Sequence, residues 1–153
     1  MVDRGKGRES TMSEENKALA RKVYEIIASG DFDRANEIVD PDAPDNERPE
    51  CPPEMETPRP KLIDTFREFA TEVHTAFPDA RIEVEDMIAE GDKVSARVAM
   101  SGTHRGEFQG IAPTGKQVQV RAMDMFRIAD GKIVEHWGHG DDPSDILREP
   151  ERS

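Results

Sequence analysis

Residues 117–138 read QVQVRAMDMFRIADGKIVEHWG, and this stretch predicts two antiparallel β-strands joined by a tight turn. Apolar and polar side chains alternate on both sides of Asp130-Gly131, a dipeptide typical of two-residue hairpin turns. The same alternation over residues 82–103, interrupted at residues 90–92, predicts a second hairpin. We therefore expect a four-stranded antiparallel sheet whose strands run from Ile82 to about Ala89, Lys93 to Thr103 or His104, Gln117 to Ile128, and Lys132 to about Gly140.

The sequence before the sheet has helical periodicity. Ser13 is a suitable N-cap for a first helix that ends near Ser29, and residues 32–39 predict a short second helix. Residues 62–77 repeat apolar side chains at helical spacing and end at Pro78. Helices followed by hairpin-linked strands predict an α+β fold, in which the helices cover one face of a curved, mostly antiparallel sheet around a pocket.

The two ends of the chain and one internal segment differ from this pattern. We expect residues 1–12 to be a disordered leader, residues 13–142 to form the domain, and residues 143–153 to be a C-terminal tail. The many prolines between residues 40 and 60 exclude a regular helix or a central strand there. We interpret that segment as a loop at the rim of the pocket.

The composition limits the kinds of partner. A formal net charge of -12 argues against nucleic acid and against an anionic membrane surface, since both select clustered lysine and arginine. No apolar stretch is long enough to span a bilayer, and residues 1–11 lack the apolar core of a secretory signal. Cys51 is the only cysteine, which excludes a disulfide within the chain. We expect a cytoplasmic protein.

Three ionisable side chains fall on the inner face of the predicted strands. His104 continues the Val94–Met100 face at the end of the second strand, and Asp124 interrupts an apolar face of the third. Asp141 continues the face of the last strand that carries Ile133, Glu135, Trp137 and His139. A β-bulge would reverse these assignments.

A carboxylate in an apolar pocket is suited to general base catalysis near neutral pH, because burial disfavours the charged form. Structural interpretations stay open beside this one. Asp124 could be the buried partner of Arg121 or Arg127, His104 a packing histidine, and Asp141 a cap for the segment that follows it.

A metal site is a further possibility to weigh. Residues 135–139, EHWGH, are rich in metal-binding side chains, but His136 and His139 point to opposite faces of a regular strand. His104, His139 and Asp141 could also converge as an iron site of two histidines and one carboxylate. We favour neither arrangement and expect no metal and no cofactor.

Two stretches carry a family resemblance: residues 102–116, GTHRGEFQGIAPTGK, and residues 124–138, DMFRIADGKIVEHWG. Together with residues 16–24 and 76–79 they resemble the SnoaL-like polyketide cyclases and their ester cyclase relatives. The resemblance covers residues 13–142 in order. It implies the cone-shaped nuclear transport factor 2-like fold, which hosts several unrelated activities.

The resemblance also implies an activity, a cofactor-free intramolecular aldol condensation, and a partner, a small hydrophobic carbonyl compound of the polyketide type. Asp141 would be the general acid/base, because the family places an aspartate four residues after the tryptophan of the last strand, and His104 would line the pocket. A homodimer or higher oligomer is implied as well, formed through the outer face of the sheet, where we expect His136 and Met123 or Met125. The residues expected to line the pocket or bind substrate are Asn46, Phe66, Met100, Phe108, Asp124, Trp137 and His139.

One position departs from the family pattern. Relatives often carry a histidine after the second helix, where this chain has Asn46, and an amide cannot transfer a proton at neutral pH. The substrate is therefore expected to differ. Three functions stay open: a cyclase or isomerase acting by acid/base chemistry, a SnoaL-like hydroxylase that uses oxygen, and a non-catalytic binding or dimerisation module.

Overall fold

A computed structural model describes residues 4–44 and 61–148, with side chains described from Met12 onward. Helix α1 spans Arg4–Ser29, and a 3₁₀ turn at Phe32–Arg34 leads into the short helix α2 at Ala35–Ile38. Helix α3 spans Leu62–Ala76 and is followed by the strands β1 (Arg81–Glu90), β2 (Lys93–Thr103), β3 (Gln117–Ala129) and β4 (Lys132–Gly140). Helix α4, at Pro143–Arg148, ends the described part of the chain.

The four strands form one antiparallel sheet in the order β1-β2-β3-β4, as the two predicted hairpins require. Gly91 and Gly131 have positive φ angles of 60° and 73° in the two turns, a conformation that glycine adopts without the penalty of a side chain. The four predicted strands are therefore confirmed within one or two residues at each end.

A β-bulge at Val134 sets the direction of the side chains on β4. Ile133 pairs with Ile128, but Glu135 pairs with Arg127, so Val134 has no partner of its own in the ladder. The extra residue reverses the alternation after Ile133. The side chains of β4 after Ile133 therefore point to the faces opposite to those that regular alternation predicts.

Helices α1 and α3 cover the inner face of the sheet, which we define as the face bearing Val94, Ala96 and Phe126. Ala20 and Ile26 on α1 are fully buried against this layer. A second apolar cluster lies at the other end of the sheet, where α4 packs on β3. Its buried members are Ala76, Phe77, Phe108, Val118, Val120 and Leu147.

The two ends of the described chain differ from the sequence expectation. Helix α1 begins at Arg4 rather than at Ser13, so it runs through most of the segment interpreted as a leader. Residues 143–148 of the expected tail form α4, whose Leu147 is buried. No helix in the described ranges is long and apolar enough to cross a membrane. Asn46, Cys51 and most of the proline-rich segment lie outside the described residues.

Candidate active site

A cavity of about 490 Å³ lies between α1, α3 and the inner face of the sheet. Its walls are mostly apolar, and such a lining is typical of sites for small hydrophobic ligands. The apolar wall residues are Val23, Ile27, Val39, Leu62, Phe66, Phe69, Ile82, Val98, Met100, Val120, Ala122, Phe126 and Ile133.

The polar wall of this cavity is built around Asp124. The Tyr24 hydroxyl donates a hydrogen bond of 2.7 Å to Oδ2 of Asp124. Nε2 of His136 lies 3.1 Å from Oδ1 of the same carboxylate. Both oxygens of Asp124 are therefore held, one by a residue of α1 and the other by a residue of β4.

Packing fixes the three members of this Tyr24–Asp124–His136 cluster. Tyr24 is only 6% exposed, and its ring meets Phe126 edge-on at a centroid distance of 6.2 Å. The imidazole of His136 stacks on the same Phe126 ring, at a centroid distance of 5.0 Å. The side chains of His136 and Asp124 are 15% and 16% exposed. The cluster is thus ordered and largely shielded from water, yet all three members line the cavity.

His136 reaches this position because of the bulge at Val134. The sequence predicted it on the outer face, and that prediction is wrong, since Phe126 on the inner face pairs directly with His136. The alternative ion pair between Asp124 and a neighbouring arginine is absent from the described contacts, since Arg121 binds Glu85 and Arg127 binds Glu135.

Asp141 lies at the rim of the same cavity. Its side chain is exposed, and its Oδ2 accepts a hydrogen bond of 3.1 Å from the backbone N–H of Arg121. The cap at the start of α4 is provided by Asp142 instead, whose Oδ1 accepts a hydrogen bond from the backbone N–H of Ser144. Asp141 therefore borders the cavity and is in contact with solvent.

His104 does not line the cavity. It is fully buried in the second apolar cluster, where its ring lies 5.7 Å from that of Phe77. The backbone N–H of Thr114 donates to its Nδ1 at 3.1 Å, so the proton of the neutral ring resides on Nε2. That Nε2 is buried and has no hydrogen-bond partner among the described residues. The geometry fits a residue that holds the 104–116 loop in place.

The remaining predicted pocket residues divide into three groups. Phe66, Met100 and His139 line the cavity. Phe108 is buried beside Phe77 in the second cluster, and Trp137 lies on the outer face opposite Met125, so neither borders the cavity. Asn46 lies outside the described residues.

The charged side chains of the cavity wall have one sign. Glu68, Glu72, Asp124 and Asp141 line it, and no lysine or arginine does so in the described ranges. Within those same ranges, no three histidine, cysteine, aspartate or glutamate side chains are grouped closely enough to hold a metal ion. The combination of His104, His139 and Asp141 is not formed, because His104 is buried elsewhere.

Residues 17–147 match the family model described as SnoaL-like polyketide cyclase. The chain belongs to this family. The predicted resemblance and the α+β fold of the nuclear transport factor 2-like type are thereby confirmed.

Individual relatives in this family have named activities. The chain is 28% identical over 119 residues to the aklanonic acid methyl ester cyclase DnrD of Streptomyces peucetius, a match that covers 77% of this chain and 79% of that protein. A match to the cyclase AcmA of Streptomyces galilaeus is 36% identical over 58 residues, and it spans only 38% of this chain and 40% of the relative. The solved structure of AclR, a putative hydroxylase from Streptomyces galilaeus, superposes with a TM-score of 0.75 at 28% identity, covering 92% of this chain and 86% of that one.

Sequence reasoning missed two members of the cluster. Tyr24 is the only tyrosine and follows Val23 on the buried side of α1, but nothing local shows which strand it faces. Alternation predicts His136 on the wrong face, because a bulge of one residue leaves no clear signal in an alternating pattern.

Proposed function

We propose that this SnoaL-like protein closes a ring in a polyketide-like carbonyl compound by cofactor-free aldol chemistry. The observation that carries the proposal is an apolar cavity of about 490 Å³ with carboxylate and imidazole groups in one wall. Such a cavity can hold a flexible substrate in a folded conformation, so that its two reacting carbons lie close together. The cyclase names of two relatives support the same reaction class.

The reaction needs one proton to be removed and one to be returned. A carboxylate in the cavity takes the acidic proton from a carbon between two carbonyl groups, and the electron pair of that C–H bond forms an enolate. The enolate carbon attacks a second carbonyl carbon in the same molecule, which makes the new C–C bond and an alkoxide. The alkoxide takes up a proton from the cavity wall, so substrate and product have the same composition. Asp124 and Asp141 are the carboxylates that the cavity offers beside the two glutamates of α3.

The charges of the wall indicate an uncharged substrate. Carboxylates line the cavity and no lysine or arginine does so in the described ranges, so a free carboxylic acid, which is ionised at neutral pH, would meet side chains of its own charge sign. We infer that an acid group of the substrate is masked, for instance as an ester. This agrees with the methyl ester in the names of the cyclase relatives.

The experiment is a comparison of three incubations without oxygen: the protein with a linear polyketide methyl ester, the protein with the corresponding free acid, and the ester alone. We expect a product of unchanged mass with one more ring, formed from the ester and much more slowly from the acid. Binding of the ester without any product would instead indicate a module that only holds its ligand.

Hydroxylation is a second candidate, because the chain superposes on AclR over most of both chains. In that reaction the substrate itself would have to reduce molecular oxygen. Oxygen uptake in step with turnover would favour this reaction over the cyclase, with a product that either carries both oxygen atoms as a hydroperoxide or, after loss of water, has gained one oxygen atom and lost two hydrogen atoms.

We further propose that the protein self-associates through the outer face of the sheet. Ile88, Met125 and Trp137 are exposed and lie in one row across the strands, with Ser95 between the first two. Met123 extends this apolar surface, whereas His136, which we expected here, lies on the inner face. A monomeric mass at high protein concentration in analytical ultracentrifugation would contradict self-association.

A further inference from the structure

We propose that the proton-transferring carboxylate of this protein is Asp124, paired with His136 and held by Tyr24, rather than the rim residue Asp141. The assignment deepens the proposed function, because it names the residues that would perform its proton transfers. It rests on contacts that neither the sequence pattern nor the family resemblance indicated.

The two carboxylates differ in how well they are shielded from water. Asp124 is 16% exposed and forms part of the inner wall, whereas the Asp141 side chain is exposed at the rim. Interactions between charges are stronger where water is excluded, and an enolate formed there is not quenched by solvent. A reaction that depends on an enolate intermediate is therefore favoured beside Asp124.

Asp124 is fixed in orientation by two side chains, and Asp141 is not held in the same way. The Tyr24 hydroxyl and His136 Nε2 hold the two oxygens of Asp124 from opposite elements of the fold. The described hydrogen bond to the Asp141 side chain comes from a single donor, the backbone N–H of Arg121. A catalytic group that is already held in one orientation speeds the reaction, because less conformational entropy has to be lost in reaching the transition state.

The pair also supplies groups for both proton steps. Asp124 accepts the proton of the carbon acid, and the imidazole of His136, whose Nε2 lies 3.1 Å from Oδ1 of Asp124, is a second group that can return a proton to the alkoxide. Tyr24 is a positioning residue, because its hydroxyl donates a hydrogen bond to the carboxylate of Asp124 and so holds that carboxylate in place.

The test follows proton removal directly and does not require ring closure. The probe is methyl 3-oxo-3-(2-naphthyl)propanoate, an uncharged β-keto ester, whose α-hydrogens exchange with D₂O and are followed by proton NMR. We compare the wild-type protein with Asp124→Asn, Asp141→Asn and His136→Gln, and use Asp64→Asn on α3, outside the cavity, as the matched control. Circular dichroism and thermal unfolding confirm that each variant is folded.

We expect Asp124→Asn to lower the protein-dependent exchange rate by about 100-fold or more, the usual contribution of a general base. His136→Gln keeps a donor to Asp124 but cannot carry a proton, so it should lower the rate by about tenfold or more. Asp141→Asn should have a smaller effect than either variant, and Asp64→Asn none. A loss with Asp141→Asn that equals or exceeds the loss with Asp124→Asn would overturn the assignment.

The same comparison separates this assignment from the proposed function. Exchange that depends on Asp124, together with failure of every linear ester to cyclise, would retain the proton-transfer centre and refute the cyclase. Wild-type protein that does not accelerate exchange of the probe above the control without protein would refute the centre itself, even if the cavity binds the probe.

Discussion

Asp124 and His136 lie on neighbouring strands with 3.1 Å between Oδ1 and Nε2, and the bulge at Val134 is what brings them together. Without the extra residue, β4 would present Glu135 and Trp137 to the inner face and place His136 outside. One unpaired residue in the sheet therefore decides which ionisable group meets Asp124 in the cavity. Bulges commonly aim a side chain at a functional site in this way.

The hydrogen bond from Tyr24 to Asp124 should matter for rate more than for binding. We predict that Tyr24→Phe lowers kcat for α-hydrogen exchange by about tenfold, the effect of roughly 1.4 kcal/mol, with little change in KM. A change in stability alone, with kcat unchanged, would show that Tyr24 is only a packing residue.

His104 should contribute to stability and not to turnover. Its burial and its bond from the Thr114 N–H predict that His104→Ala lowers the free energy of unfolding by about 2–4 kcal/mol. Urea denaturation measures this loss. The exchange rate per folded molecule should equal that of wild type, and a rate loss like that of Asp124→Asn would restore His104 to the catalytic centre.

Gly140 and Ala122 allow the close approach of β3 and β4 beside the cavity. A Cβ atom at Gly140 would lie 2.6 Å from the Cβ of Ala122, well inside normal contact. We predict that Gly140→Ala costs about 1–3 kcal/mol of stability, as overpacking usually does. Adding Ala122→Gly should recover part of the loss, because the nearest atom is then removed while the backbone of Arg121 remains close. Purely additive losses in thermal unfolding would contradict this explanation.

Asp79 should make stability depend on pH in the acid range. Its carboxylate accepts the N–H and the hydroxyl of Thr103, both at 2.8 Å, and these bonds hold the pKa of Asp79 below its ordinary value. A carboxyl whose pKa is lower in the folded state stabilises the fold above its unfolded pKa, and this contribution is lost as the pH falls through the folded pKa. Asp79→Asn should therefore destabilise the protein at pH 7, and the difference from wild type should shrink below about pH 4. An equal difference at pH 7 and at pH 3 in urea denaturation would contradict this.

The sequence predicted the sheet well because its signals are local. Alternation on both sides of Asp130-Gly131 and the stripe of α3 depend only on neighbours along the chain, and both elements lie where expected. The inner position of Asp124 followed from the same alternation. The family pattern in residues 102–116 and 124–138 likewise predicted the fold that the family match confirms.

The site could not be predicted to the same extent, because it depends on contacts between distant elements. Tyr24 and Asp124 are a hundred residues apart, and their hydrogen bond follows from how α1 crosses the sheet. The sequence predicts His104 on the inner side of β2, but its hydrogen bond from the Thr114 N–H depends on the path of the loop between β2 and β3, which alternation does not reveal. The inner position of His136 could be predicted only with knowledge of the bulge at Val134, which alternation alone does not reveal.

The most direct test is ring closure of a linear polyketide methyl ester without oxygen, measured in a single turnover by wild type and by Asp124→Asn at equal concentrations. We predict a cyclic product of unchanged mass from the wild-type protein, formed about 100-fold or more slowly by the variant. Cyclisation at the same rate by both proteins, or a product that forms only when oxygen is admitted, would contradict an acid/base cyclase centred on Asp124.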